Sequence, residues 1–569
     1  MKILLLHSDD FSWKAKKKAI KSAEDVEKKL VKVRDALVVF TAVEKGDGKK
    51  REEIARKAVK EILDVFEKVK AKAVVVYPYV HLSGKPSPPD VALVILKEIE
   101  GMLKDEGVKT YRAPFGWYKA FTISVKGHPL SELSREISLK EVGREEVPEA
   151  LKKEETLKSE WFILEPNGKM HKIEIKGGKL VGFDFSKHEN LMKFAMYEMA
   201  KSREVKEEPP HIKLMRKLQL VDYEPASDPG HFRYMPNGKL IKSLLEDYVS
   251  MKMVENGAME VETPIMYDYE HPALKNYMNR FPARQYTIET PNKRVFLRFS
   301  ACFGQFLLLH DASISYKDLP LWLYELTRYS FRVEQRGELA GLRRLRAFTM
   351  PDCHAFTRNM EQAKGELMKR FRISMDIQKG MGISPKKYLE LAIRIVDDFY
   401  KKNREFIEKM VKEWGKPVLV EKWEKRFFYF VMKYEFNFVD ALDKAAALTT
   451  DQIDIENAER YGIQYTDSDN QRKYPVILHL SPSGAIERVI YALLEKAYME
   501  MKKGKNPVFP LWLAPVQVRI CPVSEKFTEY AKEVAENIKA VKIRVDVDDR
   551  DETVPRKIQT AESEWVNII

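Results

Sequence analysis

The hydrophobic positions of this chain fall into short strand-like runs and helix-like periods, and no apolar stretch is long enough to span a bilayer. Runs rich in β-branched residues predict strands at residues 3–6, 36–43, 73–77 and 121–125. Between them, Ile54, Ala58, Ile62 and Phe66 recur with the spacing of one helical face. Residues 1–142 are therefore predicted to form an α/β domain.

The pattern changes after residue 142. Residues 144–160 are rich in charge, and residues 161–185 then alternate apolar and polar positions around two glycine-containing turns. That alternation is typical of a small β-hairpin module, and a helix is expected to follow to about residue 202. Residues 143–205 are therefore predicted to be a linker with a hairpin and a helix, serving as a spacer.

A long predicted helix, over residues 240–256, belongs to a larger unit at residues 206–510. One face of this helix would be lined by Ile241, Leu245, Val249 and Met253. Gly257 stands where a glycine often caps a helix C-terminus. A proline-rich boundary near residue 510 separates this unit from a strand, a helix and a strand predicted within residues 511–569.

Charge and cysteine usage narrow the class of protein. Charged residues make up 33% of the chain and the net charge is +13, which favours an anionic partner such as nucleic acid. The excess of Lys and Glu is typical of heat-adapted proteins. Three scattered cysteines form no disulfide framework, and the N-terminal apolar run is too short for a signal peptide. We therefore expect a cytoplasmic protein.

The most informative segment is residues 331–354, FRVEQRGELAGLRRLRAFTMPDCH. Arg332 and Glu334 would face the same way on a strand, because strand side chains alternate. A basic loop then returns through Arg343, Arg344 and Arg346. A guanidinium can hold phosphate in bidentate fashion, so the pattern predicts a nucleotide-binding hairpin. A surface ion pair is the alternative interpretation of Arg-x-Glu alone.

Three elements in this order resemble the class II aminoacyl-tRNA synthetases. The long helix, the strand at residues 258–263 and Pro264 resemble motif 1, which builds the dimer interface in that class. Residues 331–348 resemble motif 2, which implies that Arg332 binds the α-phosphate of ATP. Residues 484–488, Gly-Ala-Ile-Glu-Arg, resemble motif 3, which implies that Arg488 binds the γ-phosphate. The implied catalytic fold is an antiparallel sheet flanked by helices, so the whole chain is expected to be an α/β and α+β multidomain protein.

Cys302, His354 and His479 are far apart in sequence, and their spacing alone does not predict a metal site. On the class II scaffold, however, they resemble the Cys-His-His zinc ligands of threonyl-tRNA synthetases, which implies one Zn²⁺ per subunit. Cys353 is a rival ligand, but adjacent residues of an extended segment point apart. Mg²⁺ is expected to accompany ATP.

A zinc site that binds a hydroxyl rejects valine, which lacks it, by roughly 10⁴–10⁵. Serine differs from threonine by one methyl group, and such a difference is worth only about 1–3 kcal/mol. An enzyme of this kind therefore needs a second, hydrolytic site. The N-terminal domain resembles the archaeal type of threonyl-tRNA synthetase editing domain, which is related to D-aminoacyl-tRNA deacylases.

The segments that carry this resemblance are LLLHSD (residues 4–9), YPYVHL (77–82), APFGWYKAF (113–121) and GHPLSEL (127–133). It implies that His81, Lys119 and Glu132 line the editing pocket, with Tyr118 beside them. Lys119 lies among aromatic residues, so we expect it to be partly buried with a shifted pKa. Its role as base, clamp or water holder stays open, as does a solvated surface lysine.

The resemblance spans nearly the whole chain. It further implies that Asp352 binds the threonine amine, that Tyr429 contacts the amino acid, and that Glu334, Arg344 and Gln452 bind ATP. The implied activity is ligation of L-threonine to tRNA(Thr) through threonyl-adenylate by a homodimer with no membrane association, with hydrolysis of seryl-tRNA(Thr).

Three departures from the family pattern are visible. The family's Cys-Pro-Gly-His segment is Cys302-Phe303-Gly304-Gln305 here, and Ala485 replaces a common serine. The C-terminal anticodon-binding domain is expected to be only partial in residues 511–569. The alternatives are a prolyl or seryl synthetase of the same subclass, a non-catalytic tRNA-binding paralogue, and a proofreading factor that keeps a degenerate synthetase body.

Overall fold

The computed structural model describes residues 1–128, 130–137, 159–200, 207–278, 285–334 and 338–569. Its chain divides into two compact units, Met1–Glu146 and Val147–Ile569. The two ends of the predicted linker, residues 143–158 and 201–205, lie outside the described residues, as does the middle of the basic loop at residues 335–337. No helix in the described ranges is both long and apolar enough to cross a membrane.

The first unit is an α/β sandwich, as predicted. Its strands are β1 (Lys2–Lys18), β2 (Leu30–Ala42), β3 (Ala73–Pro78), β4 (Thr110–Arg112), β5 (Trp117–Val125) and β6 (Glu132–Glu136). The sheet order is β4-β3-β2-β1-β5, and β6 also pairs with β1. Helices α1 (Arg51–Val69) and α2 (Pro89–Asp105) pack on one face of the sheet against side chains such as Leu5, Leu37 and Val76.

Strand β1 is much longer than the four-residue run predicted from its apolar start. Beyond Leu6 it continues through Trp13 and Ala15, which are buried, while Lys14 and Lys16, which alternate with them, are exposed. This period-two alternation persists although the mean composition turns basic, so a search for apolar runs misses it. The added length lets β1 pair first with β6 and then with β5.

The second unit is built on a large, mostly antiparallel sheet. Its strands in chain order are β7 (Ser159–Leu164), β8 (Met170–Lys176), β9 (Lys179–Val181), β10 (Val221–Tyr223), β11 (Phe232–Tyr234), β12 (Met259–Glu260), β13 (Met266–Asp268), β14 (Thr287–Glu289), β15 (Arg294–Leu297), β16 (Ile314–Ser315), β17 (Leu321–Phe331), β18 (Ala347–Thr357), β19 (Leu389–Val396), β20 (Val418–Trp423), β21 (Phe430–Val439), β22 (Ala445–Asp454), β23 (Tyr465–Thr466), β24 (Arg472–Lys473), β25 (Val476–Leu480), β26 (Val518–Ile520) and β27 (Val545–Val547). Eleven of the described strands form the order β12-β17-β18-β25-β22-β21-β19-β20-β7-β8-β9.

Helices cover this sheet and fill the connections. In chain order they are α3 (Glu189–Ala200), α4 (Pro210–Lys217), α5 (Pro236–Glu255), α6 (Pro272–Met278), α7 (Cys302–His310), α8 (Met360–Gly380), α9 (Pro385–Tyr388), α10 (Asp397–Lys402), α11 (Arg404–Trp414), α12 (Asn457–Arg460), α13 (Ile486–Met501), α14 (Thr528–Ala540) and α15 (Val554–Ser563). The predicted long helix is α5, and its four predicted core residues are all fully buried. Gly257 follows it with φ of 95°, the left-handed conformation expected of a terminating glycine.

The predicted hairpin module joins the large sheet. Strand β7 pairs with β20 from Val418↔Leu164 to Trp423↔Ser159, and β8 and β9 continue outward from it. The sequence predicted these strands as part of a spacer, and the structure makes them the edge of the sheet. Pairing partners more than 200 residues apart leave no signal in local periodicity, so this attachment was not predictable from the pattern.

A buried ion pair ties the centre of the sheet to helix α8. Arg370 and Asp451 are both fully buried, and Nε of Arg370 donates to Oδ2 of Asp451 at 2.9 Å. Nη2 of the same arginine donates to the Cys353 carbonyl oxygen at 2.8 Å. Arg370 thereby holds strands β18 and β22 from the helix side.

Replacing Arg370 with leucine is expected to destabilise the second unit by about 3–5 kcal/mol, because the Asp451 carboxylate would be left buried without a partner. Arg372→Leu is the matched control, because Arg372 on the same helix makes an exposed pair with Glu413 and its loss should cost at most about 1 kcal/mol. Denaturant unfolding measures both, and equal losses would contradict the role assigned to Arg370.

Candidate active site

Two neighbouring strands bring a pair of histidines together. His354 on β18 lies directly opposite His479 on β25, and their ring centroids are 4.8 Å apart. Cys302, the first residue of α7, completes the cluster: its Sγ is 3.1 Å from Nε2 of His354 and 3.6 Å from Nδ1 of His479. Among the described residues, these three form the only Cys, His, Asp or Glu cluster suited to a metal ion.

The nitrogen that each histidine turns away from the cluster is also hydrogen-bonded. Nδ1 of His354 donates to Oε1 of Gln305 at 2.8 Å, and Nε2 of His479 donates to Oδ2 of Asp454 at 2.7 Å. These bonds fix the tautomers that leave Nε2 of His354 and Nδ1 of His479 without a proton. One thiol and two oriented imidazoles are a donor set that fits Zn²⁺ with one position left open.

In the altered family segment, Gln305 makes the hydrogen bond that orients His354. This side chain is fully buried and takes the outer contact to His354. Gly304 must remain glycine, because a Cβ there would lie 2.3 Å from Oγ1 of Thr263. Gln305 and Asp454 were missed from sequence, and the position of Gln305 one helical turn after Cys302 was the available signal.

Cys353 is not part of the cluster. It faces the opposite side of β18, where it is fully buried in the main hydrophobic core, and burial raises the pKa of its thiol to about 12. The strand alternation that argued against this rival ligand is therefore confirmed.

Three predicted amino-acid and ATP residues surround the cluster. Asp352, two residues before His354, accepts a hydrogen bond from the Ala301 amide at 3.2 Å, and burial raises its pKa to about 7. The Tyr429 ring lies 5.2 Å from the His479 ring, and its hydroxyl donates to Oε1 of Gln452 at 2.6 Å. Polar side chains therefore lie next to the cluster of Cys302, His354 and His479.

The arginines of the basic hairpin divide into distinct groups. Arg343 is buried and donates to Asp440 at 2.8 Å, and Arg346 donates to Asp228 at 2.8 Å. Arg344 pairs with Glu334 at 2.9 Å. Arg343, Arg344 and Arg346 therefore all have carboxylate partners, and the predicted ATP residues Glu334 and Arg344 are bonded to each other. The nucleotide clamp stays a prediction.

Arg332 differs from those three. It follows the end of β17, and its amide still donates to the Arg346 carbonyl at 2.8 Å, which continues the strand pairing. Its Nε is buried and has no hydrogen-bond partner among the described residues. Burial lowers its pKa despite the nearby Glu334 carboxylate. An arginine held in this way has hydrogen-bonding capacity left for a ligand.

The positive charge of Arg332 repels that of Arg488. Its side chain donates to the carbonyl oxygens of Arg343 and Ala447, at 3.1 and 3.2 Å. Burial, followed by repulsion from Arg332, lowers its pKa to about 10. Gly484 allows this approach, because at φ of 70° a Cβ would lie 1.8 Å from the Leu448 carbonyl oxygen. The result is a cleft with two desolvated guanidinium groups.

The first unit contains the predicted editing residues. Nζ of Lys119 lies 4.9 Å from the Tyr77 ring centroid and donates to the Pro114 carbonyl at 3.0 Å. Burial lowers its pKa to about 8, against an opposing effect of Glu24. The expected partial burial and shifted pKa of Lys119 are therefore present in the structure.

The other three editing residues are exposed. His81 packs its ring 5.2 Å from Tyr79, which is next to Tyr77, so Lys119 and His81 share one aromatic surface. Tyr118 points to the other side of β5, and Glu132 begins β6 opposite Leu6 of β1. No contact of Glu132 or Tyr118 with Lys119 is recorded within the described part of the unit.

Comparison with known proteins follows this division. Residues 1–137 match the family described as the Archaea-specific editing domain of threonyl-tRNA synthetase. Residues 286–497 match the tRNA synthetase class II core domain (G, H, P, S and T), and residues 517–569 match an anticodon binding domain.

The matching relatives span the whole chain. It is 58% identical to the threonine–tRNA ligase of Thermococcus sibiricus and 57% identical to that of Pyrococcus horikoshii; each alignment covers 100% of this chain and 90% of the relative. These relatives come from thermophiles, in line with the Lys- and Glu-rich composition. A solved structure described as the RNA binding domain of threonyl-tRNA synthetase from Cryptosporidium parvum has the same fold over 63% of this chain and 89% of its own, with a TM-score of 0.54 and 23% identity.

Proposed function

The chain belongs to the archaeal threonyl-tRNA synthetases, ATP-dependent ligases of threonine that carry an editing domain, and from that premise we propose which of its residues perform each step. The full-length match to threonine ligases sets aside the prolyl and seryl alternatives and the non-catalytic ones. The proposed division is editing in residues 1–142, a connecting segment at 143–205, catalysis in 206–510 and anticodon binding in 511–569.

Arg332 and Arg488 are the proposed triphosphate ligands. The observation that carries this assignment is that both guanidinium groups are desolvated, repel each other, and have no carboxylate bonded to them among the described residues. A polyanion entering between them relieves that repulsion, and this electrostatic stabilisation would also act on the charge that builds up at the α-phosphate during adenylation. Mg²⁺ would enter with the phosphates, which supply most of its ligands.

Glu334, Arg344 and Gln452 are proposed to bind the rest of ATP. Glu334 and Arg344 pair with each other, which orients both side chains. Glu334 would accept hydrogen bonds from the nucleotide, and Arg344 would donate to it. Gln452 is held by the Tyr429 hydroxyl, which leaves its amide N–H groups available to the same cleft.

Threonine selection is proposed at the Cys302, His354 and His479 cluster. These three residues would hold Zn²⁺ and leave it accessible to substrate, so that the threonine amine and hydroxyl would both bind to it. Asp352 would accept a hydrogen bond from an N–H of that amine, because its carboxyl group is buried beside the cluster and keeps an oxygen that the Ala301 amide does not use. Tyr429 would close the pocket beside His479.

The editing site is proposed on the aromatic surface that Lys119 and His81 share, with Tyr118 and Glu132 at its margin. Two of the N–H groups of Lys119 already point to carbonyl oxygens. The third N–H of the ammonium group would bind the seryl ester or the attacking water, which orients the ester for hydrolysis.

A homodimer is proposed through the motif 1 region. The edge strand β12 pairs only with β17 among the described strands, and the apolar side chains of Met251, Val254, Met259, Ile265 and Met266 next to it are exposed. A contiguous exposed apolar patch beside a sheet edge is typical of a protein interface.

With tRNA(Thr) and ATP as its substrates, we place the enzyme in the cytoplasm.

The ligase assignment predicts a particular pattern of amino-acid activation. Wild-type enzyme should contain about one zinc per chain and support ATP–pyrophosphate exchange with threonine and serine, but not with valine. Cys302→Ser should lose zinc and threonine-dependent exchange, by more than the roughly 10–100-fold that removal of an outer partner costs. Cys353→Ser should retain both, because that thiol faces the core. Metal analysis and exchange rates decide, and an active, zinc-containing Cys302→Ser would refute the metal assignment.

The editing assignment predicts separate loss of one activity. Lys119→Met should lower hydrolysis of seryl-tRNA(Thr) by about 10²–10⁴-fold, the range typical of a positioned acid–base group. Threonine-dependent exchange should be unchanged, because it takes place in the other unit. Lys60→Met, on the exposed side of α1, is the control. Normal deacylation by Lys119→Met would contradict the assignment.

The proposed dimer interface predicts that substitutions in it change the sedimenting mass. Wild-type protein should sediment as a dimer, and the double variant M259E/M266E should sediment as a monomer, because burying two carboxylates in an apolar interface is costly. Val523→Glu, at an even more exposed apolar position of the anticodon-binding part, should leave the dimer intact. A dimeric double variant would place the interface elsewhere.

A further inference from the structure

His7 is a buried histidine that none of the proposed steps uses. It lies on β1 and is 3% exposed. Its amide donates to the Ser131 carbonyl at 2.8 Å, and its own carbonyl accepts from the Lys126 amide at 2.8 Å. The two bonds hold both ends of the loop that leads into Glu132. His7 and this loop come from two of the sequence segments that carried the editing-domain resemblance.

The ring of His7 extends this connection. Its Nδ1 lies 2.8 Å from Nε2 of His128, inside the loop, and its Nε2 lies 3.2 Å from Oδ1 of Asp35 on β2. Nδ1 of His128 accepts from the Leu130 amide at 3.3 Å. Only one arrangement satisfies all three contacts with neutral rings. Leu130 N–H donates to His128, Nε2–H of His128 donates to His7, and Nε2–H of His7 donates to Asp35.

The surroundings of His7 favour its neutral ring. Nζ of Lys126 donates to Asp35 at 2.6 Å, lies 3.5 Å from Asp9, and has a repulsive effect on His7, while Lys72 lies 3.8 Å from Asp35. Burial lowers the pKa of His7, and the Asp35 hydrogen bond offsets this only in part. Asp35, which anchors the chain, has φ of 50°, an uncommon conformation for a residue with a side chain.

We propose that His7 and His128 are positioning residues of the editing reaction: their neutral, one-directional hydrogen-bond chain fixes the loop that presents Glu132. The inference rests on the proposed editing role of Glu132, which begins β6 directly after this loop. The ordinary alternative is a pair of satisfied structural histidines, which would affect stability but not the dependence of editing on pH.

Protonation distinguishes the two interpretations. If His7 gains a second proton, at Nδ1, that N–H faces Nε2–H of His128 unless His128 changes tautomer and loses the Leu130 contact. If His128 gains a second proton, at Nδ1, it can no longer accept from the Leu130 amide. Either change loosens the loop. Deacylation of seryl-tRNA(Thr) should therefore fall on the acid side of neutrality as the pair takes up a proton. A misplacement of about 1 Å at a reacting group can cost about 10²-fold in rate.

The test uses the full chain and single-turnover deacylation of seryl-tRNA(Thr) from pH 5 to 8. His128→Gln retains an amide N–H that can donate to His7 but cannot be protonated further, so its acid-side loss should be smaller than in wild type, with a near-normal rate at pH 8. His128→Ala should lower kcat about 10–100-fold at pH 8, with KM for seryl-tRNA(Thr) unchanged. Threonine-dependent exchange reports on the integrity of the other unit.

The outcomes separate the inference from the function on which it rests. If Glu132→Ala deacylates normally, the proposed editing residue is wrong, and the inference fails with it. If Glu132→Ala is defective but His128→Gln keeps the full acid-side loss of wild type, only the inference is overturned. Should His128→Ala fail to fold, the pH profile of the conservative variant still decides.

Discussion

The register of strand β18 between β17 and β25 is the constraint on which the catalytic unit depends. In the observed register His354 faces His479, and Cys353 faces the core. A slip of one residue would exchange these two side chains, because strand residues alternate between faces. Arg370 helps to prevent this from the opposite side, through the Cys353 carbonyl and Asp451. A buried ion pair distant from any substrate thereby protects the geometry of the metal ligands.

The same strand explains why the predicted phosphate-binding hairpin leads into a predicted metal ligand. β18 begins just after Arg346, whose carbonyl accepts from the Arg332 amide, and the strand carries Asp352 and His354 further along. The predicted ATP and amino-acid residues of this segment therefore lie on β18 or beside its pairing with β17. The desolvated arginine and the desolvated carboxyl group among them cost stability in the free protein. They suit substrates of opposite charge, as expected where function overrides local rules.

The sequence pattern predicted the elements better than their partners. Helix α5, its core face and the left-handed Gly257 follow from spacing that any helix must obey. The attachment of β7 to β20 and the pairing of Arg343 with Asp440 depend on residues far away in the chain. In the basic loop, the sequence does not distinguish Arg343, Arg344 and Arg346 from one another. Their burial and their ion-pair partners differ, and both depend on the folded structure.

The two units deal with different parts of one chemical problem. Polar recognition at the metal ligands can exclude valine, since a missing hydroxyl leaves a buried polar site unsatisfied. It cannot exclude serine, since a missing methyl group leaves only a small void. The proposed editing site of the first unit would use the opposite criterion: the aromatic surface beside Lys119 would limit the size of the side chain, while the lysine would bind the ester. A loop fixed from behind by His7 and His128 would hold Glu132 at the edge of that surface. Accuracy then depends on the shape of the editing site as well as on the affinity of the synthetic site for threonine.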